Sequence, residues 1–283
     1  MKTQHAINKT QTEANSVQEN VNRENTDEAA TPMPEQKHKH TLLIALSVAL
    51  ALLVIAPLFV IAWFGFVPGL SNVLGARTPR DLGVTWSAAD LASYKSKTGT
   101  AFLDFANAPV NPSDPTKKTV FADPKTVQNL QLTQAEITAA INSLNWAWLP
   151  ATNVQVRLGN GTVEVSGNLK LDHAVDFTRF IGGVGYSESN VQKAVDWGMR
   201  FANGSAFYAK GTASVFNNAL TFSLQDIRIG RFAVPSDVAS KVIYTGGSNG
   251  MRNTKYLDVK SASVQPGVLL FSGTYPSTIY VKH

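Results

Sequence analysis

The sequence predicts an α+β protein, with a single N-terminal transmembrane helix followed by a curved antiparallel sheet of hairpins packed with a few helices. Three observations carry this. Residues 41–67, TLLIALSVALALLVIAPLFVIAWFGFV, hold no charged side chain. Apolar residues recur at helical spacing near 88–97 and 134–145, and from residue 153 onward apolar and polar residues alternate in runs separated by Gly, Asn and Pro.

Residues 1–40 carry five Lys or Arg against six Asp or Glu, few large apolar side chains and no period. Such a segment buries too little surface to offset its ordering entropy, so a disordered cytoplasmic tail is expected. As a helix, 41–67 would reach roughly 40 Å, more than the roughly 30 Å hydrocarbon core. Leu43 would sit in the span, Pro57 would kink its middle, and Trp63, Phe64 and Phe66 would form an interfacial aromatic belt. A cleaved signal peptide fits less well, because Leu74-Gly75-Ala76 puts Leu where a small residue belongs. A fully buried soluble helix fits poorly with so long an uncharged run. Lys37, His38, Lys39 and His40 abut the span, whereas Arg77 and Arg80 lie further beyond it. The asymmetry predicts a single-pass plasma-membrane protein, with the N-terminus cytoplasmic, a connector over 68–80 and an extracytoplasmic domain over 81–283.

The chain has no cysteine, which excludes disulfides, thiolate nucleophiles and cysteine metal sites and suits a bacterial envelope protein. Residues 77–283 carry twenty basic against fourteen acidic side chains. They are spread singly, without basic runs or interleaved aromatics, so nucleic acid is not an expected partner; anionic membrane lipids or wall polymers are.

Ser87 with Asp90, and Thr133 with Glu136, have capping-box spacing, each after a short extended segment. They predict helices over 88–97 and 134–145. For Glu136 the cap is preferred to a catalytic acid. Between these helices, Pro109, Pro112 and Pro115 predict a long loop with a strand near 119–122. Trp146, Trp148 and Leu149 form an apolar knot, read either as core or as the lip of an apolar site. Val154, Val156 and Leu158, then Val163, Val165 and Leu169, predict a hairpin about Gly159-Asn160-Gly161. A helix follows over 188–202, then a hairpin turning at Asn217-Asn218, a short helix from Pro235 to Tyr244, a polar loop over 246–253, and strands either side of Pro266-Gly267. Gly167, Gly211 and Gly273 within strands mark bends or the close approach of a ligand.

The order of elements from Leu130 onward resembles bacterial envelope proteins of the LmeA/YpmS kind. The residues that carry the likeness are L-T-Q-A-E-I entering a helix, N-G-T-V-E-V-S-G, F-Y-A-K-G-T-A-S-V, L-T-F-S-L-Q-D-I-R-I-G-R-F-A-V-P and V-L-L-F-S-G-T. The resemblance implies a lipid-binding fold similar to the tubular lipid-binding one, with phospholipid held between a curved sheet and helices. It brings no catalytic residues. The Pro-rich insertion and the glycine-rich stretches 181–185 and 246–250 depart from it.

Catalytic groups are scarce. Gly246-Gly247-Ser248-Asn249-Gly250 fits a nucleophile elbow by letter, but no apolar strand leads in and the only downstream histidine is His283. Gly182-Gly183-Val184-Gly185 lacks the Lys of a phosphate loop. Asp172, His173 and Asp176 could share a metal, although a solvated loop is the better reading. Asn160-Gly161-Thr162 and Asn203-Gly204-Ser205 read as turns. No cofactor, metal or covalent step is expected. The expected function is binding or shuttling of phospholipid or a lipid-linked envelope precursor in an apolar groove, with Trp146, Trp148, Leu149, Phe207, Val215, Leu220, Phe222, Leu224 and Phe271 as its candidate lining. The alternatives are a non-catalytic envelope scaffold or interaction module with a filled core and, more remotely, a hydrolase using Ser248.

Overall fold

The computed structural model describes residues 36–67, 69–109, 119–143 and 148–282, with side chains at Ser47 and from Ala51 onward. In chain order the elements are α1 (Gln36–Trp63), α2 (Leu70–Val73), α3 (Ala88–Thr98), β1 (Ala101–Asp104), β2 (Thr119–Thr133), α4 (Gln134–Ser143), β3 (Ala151–Leu158), β4 (Thr162–Leu169), α5 (Ala174–Phe180), α6 (Glu188–Phe201), β5 (Ala206–Phe216), β6 (Ala219–Ile229), β7 (Phe232–Ala233), α7 (Ser236–Asn253), β8 (Asp258–Gln265) and β9 (Val268–Val281). The chain divides into two units, Met1–Ala56 and Pro57–His283. Every contact described below lies within the second.

Among the described residues nine strands form one sheet in the order β1-β9-β8-β5-β4-β3, with β2 on β9, β6 on β5 and β7 on β6. The sheet is mixed and not purely antiparallel, because β1 runs parallel to β9. Turn chemistry sets the hairpins. Asn217 and Asn218 hold φ of 47° and 62°, the left-handed pair that matches strand twist in a two-residue turn between β5 and β6. Register shifts at Val127/Leu130, Thr152/Gln155, Lys210/Gly211 and Val259/Ser261 bend the strands. The three strand glycines serve close approach of the protein to itself. A Cβ on Gly167 would meet the Phe207 ring at 2.9 Å, one on Gly211 the Ser223 carbonyl oxygen at 2.6 Å, and one on Gly273 the Asp258 carbonyl oxygen at 2.2 Å.

Both capping boxes form. Asp90 accepts from the Ser87 N–H at 2.8 Å. Glu136 accepts from the Thr133 N–H at 2.8 Å, and Thr133 Oγ1 accepts from the Glu136 N–H at 3.1 Å. Glu136 is 3% exposed and also takes hydrogen bonds from Ser93 Oγ at 2.5 Å and Lys97 Nζ at 3.0 Å, which ties α3 to α4. Burial alone would raise its carboxyl; the donors Lys97, Ser93 and Thr133 outweigh burial and hold it below the ordinary glutamate value. The folded state therefore binds fewer protons than the unfolded chain in the acid range. The stabilisation is complete above the ordinary value of 4.5 and is lost as pH falls through the lowered folded value. In urea titrations from pH 6 to pH 3 we expect the midpoint to drop below about pH 4.5, and the drop to be shallower in Glu136→Gln; an identical slope in that variant refutes the assignment.

Two expectations about segments are corrected. The predicted polar loop over 246–253 is helix, the second half of α7. Its glycines are a packing groove: a Cβ on Gly246 would lie 3.1 Å from Ile181 Cδ1, and one on Gly247 3.1 Å from Leu220 Cδ2. Asn249 Nδ2 donates to the Gly182 and Gly183 carbonyls at 3.0 and 3.1 Å, and Asn253 Nδ2 to the Ile181 carbonyl at 3.0 Å. The two glycine-rich stretches are each other's partners. Similarly, the strand expected near 119–122 continues in β2 to Thr133, across the register shift at Val127/Leu130.

The transmembrane helix, and with it the single-pass plasma-membrane localisation, is not supported. Among the described residues no helix is long and apolar enough to cross a membrane. The side chain of Leu43 lies outside the described residues, as does the tail 1–35. Pro57 lies inside the helix, and the apolar side chains from Leu52 to Ile61 are exposed.

The residues assigned to an aromatic belt are used by the fold. The helix ends at Trp63, and Arg231, in the β6–β7 turn, donates from Nη1 to the Trp63 carbonyl at 3.0 Å and from Nη2 to the Leu74 carbonyl at 2.7 Å. Its guanidinium lies 3.9 Å from the centre of the Trp63 ring. Phe66 meets Phe232 at 6.4 Å between ring centres. Ser71 Oγ donates to the Ala62 carbonyl at 2.8 Å, and Ser205 Oγ to that of Gly65 at 3.1 Å. A cation at the C-terminal carbonyls also complements the helix dipole.

Candidate apolar site

The face shared by β2 and β9 carries the site. Alternation on paired strands puts Phe121 opposite Ile279, Leu130 opposite Phe271 and Leu132 opposite Leu269, so these side chains form one continuous apolar surface. Tyr94 and Thr98 from α3, Phe180 from α5, and Thr254 and Leu257 after α7 close round it. Together they bound a cavity of about 310 Å³. Among the described residues no Asp, Glu, Lys, Arg or His lines it.

Its polar groups are hydroxyls. Tyr275 Oη donates to the Thr98 carbonyl at 2.7 Å. Burial pushes the Tyr94 phenol up, against an opposing hydrogen bond with Thr100. Burial, and then the neighbouring Tyr94, raise Tyr275. Both phenols are neutral at physiological pH. A pocket of neutral hydroxyls on apolar walls desolvates an apolar guest without stranding a charge.

Of the expected lining residues, Phe271 lies in this cavity. Trp148 does not. It is 2% exposed, with its Nε1 donating to Thr119 Oγ1 at 2.8 Å and its ring stacked on Phe180 at 4.0 Å and Phe177 at 5.7 Å between centres. It is the core behind the Phe180 wall and not a lip. Leu149 is half-buried, its carbonyl 3.1 Å from His173 Nδ1. Val215 pairs across strands with Leu220, Ala213 with Phe222 and Gly211 with Leu224. None of these four expected residues reaches the apolar cavity, and Leu220 lies against Gly247 of α7. Phe207 packs over Gly167 and borders a different, polar cavity. Trp146 lies outside the described residues.

The reading of single strands missed Tyr94, Phe121, Phe180, Leu257 and Tyr275. The alternation of Leu269, Phe271 and Tyr275 along β9 was the available signal. Ser248 sits in the interior of α7, without the strand-to-helix turn of a nucleophile elbow. Asp172 and His173 lie within a short 3-10 turn, and Asp176 pairs with Arg179; among the described residues no group of His, Asp or Glu could hold a metal ion. No family model, curated protein or solved structure matches the chain, so the likeness to the LmeA/YpmS kind rests on residue patterns alone.

Proposed function

We propose that the chain binds the acyl chain of a lipid, a phospholipid or a lipid-linked precursor, in the cavity between β2, β9, α3 and α5, with no covalent step. The observation that supports this reading is the cavity of about 310 Å³ whose lining, among the described residues, has no charged side chain. Its size is at the lower end of small-molecule sites, roughly 300 to 1,000 Å³, and suits one chain better than two. Leu130, on the β2 strand and in the cavity wall, is the place to fill it. In titrations of the full chain with a fluorescent single-chain fatty acid, with native mass spectrometry beside them, we expect saturable uptake, and Leu130→Trp to weaken it by about tenfold or more. The thermal midpoint separates a filled cavity from a damaged fold. A wild-type protein that takes up no fatty acid and carries no lipid overturns the reading.

The alternative is a scaffold with a filled core. The observation on its side is the packing of Trp148 against Phe177 and Phe180, and of Leu220 against α7. Absence of uptake is what that alternative requires.

A further inference from the structure

A second cavity, of about 360 Å³, lies between residues 75–80 and the paired strands β5 and β6. Its chemistry is opposite to that of the apolar site. Among the described residues Arg80, Arg228 and Arg231 line it against one acid, Asp226, so three guanidiniums facing one carboxylate leave an excess of two positive charges.

The three cations do different work. Arg231 is committed to the Trp63 and Leu74 carbonyls. Arg228 uses Nε alone on Asp226, 3.2 Å from each carboxylate oxygen, which among the described residues leaves both Nη groups of its fork. The Arg80 guanidinium lies over the Tyr208 ring, 4.4 Å from its centre, and no acid pairs with it among the described residues. A cation–π contact holds a guanidinium through its face and spends none of its N–H donors.

The platform itself is rigid. Tyr208 Oη donates to Glu164 Oε2 at 2.7 Å, and Arg157 Nη2 holds both Glu164 oxygens at 2.7 Å. Burial and the Glu164 carboxylate push the Tyr208 phenol up to about 12. The segment that carries Arg80 is stitched to the sheet as well: Ser166 Oγ donates to the Arg80 carbonyl at 2.5 Å, Asn168 Nδ2 to that of Arg77 at 2.8 Å, and the Leu82 N–H to Gln155 Oε1 at 2.8 Å.

We infer that Arg80 and Arg228 form a binding site for a phosphate group, with Thr78 at its border and Asp226 as a built-in competitor for Arg228. A phosphate presents the oxygens that two preset forks can grip together. The inference is independent of the acyl-chain reading.

The test uses the full chain at low ionic strength, since such contacts are screened by salt. With inorganic pyrophosphate followed by phosphorus NMR, we expect saturable binding that Arg80→Ala with Arg228→Ala weakens by about tenfold or more. Arg231 is left intact because it holds the chain together. Asp226→Asn removes the competitor and should tighten binding by about threefold or more, a gain that a damaged fold cannot mimic. Vesicles of phosphatidylcholine with and without phosphatidic acid separate the sources. Selective capture of the acidic vesicles that depends on Arg80 and Arg228, without pyrophosphate binding, makes the ligand a lipid headgroup. If the double variant matches wild type towards both probes, or Asp226→Asn tightens neither, the site is refuted.

Discussion

Gly230→Ala is expected to destabilise the protein by on the order of 3 kcal/mol, and to release residues 64–76 to protease before the sheet unfolds. Gly230 opens the β6–β7 turn with φ of +58°, and a Cβ there would stand 2.1 Å from the Phe64 carbonyl oxygen, closer than atoms can approach. The obstacle is backbone, so no side-chain rotation relieves it. The same turn donates from the Arg231 N–H to that carbonyl at 3.3 Å and from the Gly230 N–H to the Ala206 carbonyl at 2.6 Å. Moving it would also misplace the Arg231 guanidinium from two carbonyls and the Trp63 ring. Gly161→Ala is the control. It has φ of +68° and nothing within 4 Å of a built Cβ, so it reports the conformational penalty alone, about 1 kcal/mol. Urea midpoints that fall equally in the two variants would mean that close docking of 62–76 on the β6–β7 turn contributes nothing.

That contrast shows which parts of the molecule local pattern could reveal. The boxes at Ser87 and Thr133, the Asn217-Asn218 turn and the alternation along β3 to β6 are set by neighbours in sequence, and each forms where the residues predict. The Gly-rich half of α7 could not be read in this way. Glycine's poor helix propensity argues for a loop, and only contact with Ile181 and Leu220, far off in the chain, makes helix the better state. The run 41–67 failed for a related reason. Its apolar length suggests a span, yet Trp63 and Phe66 are engaged by Arg231 and Phe232, partners that hydropathy does not register. For the apolar site, strand alternation reached Phe271. Its companions Tyr94 and Phe180 arrive on separate helices, and only the tertiary fold brings them to the same surface.

The second large effect concerns the open edge of β3, which α4 covers with side chains in place of a strand. Gln134, Thr138 and Asn142 stand four residues apart and so share one face of the helix. Gln134 Oε1 accepts from the Leu158 N–H at 3.1 Å, Thr138 Oγ1 from the Val156 N–H at 3.1 Å, and Asn142 Oδ1 from the Val154 N–H at 3.0 Å; Asn142 Nδ2 returns a bond to the Val154 carbonyl at 2.7 Å. Successive inward residues of β3 thus find acceptors one helical turn apart. Each is needed because Val154, Val156 and Leu158 are buried in the core that α4 closes with Ile137 and Ile141, where water cannot replace a lost partner. Thr138→Val keeps the shape and deletes the acceptor, leaving a buried N–H unpaired at a cost of about 1 to 3 kcal/mol. With Asn142→Ala added, two further bonds to β3 and one to the Thr138 carbonyl are lost, and the pair should cost roughly 3 to 5 kcal/mol in chemical unfolding. An uncovered edge also templates strand addition, so the double variant should aggregate at concentrations where wild type does not. A double variant as stable and as monodisperse as wild type would show that the polar stripe is incidental, and that apolar packing of α4 alone protects the edge.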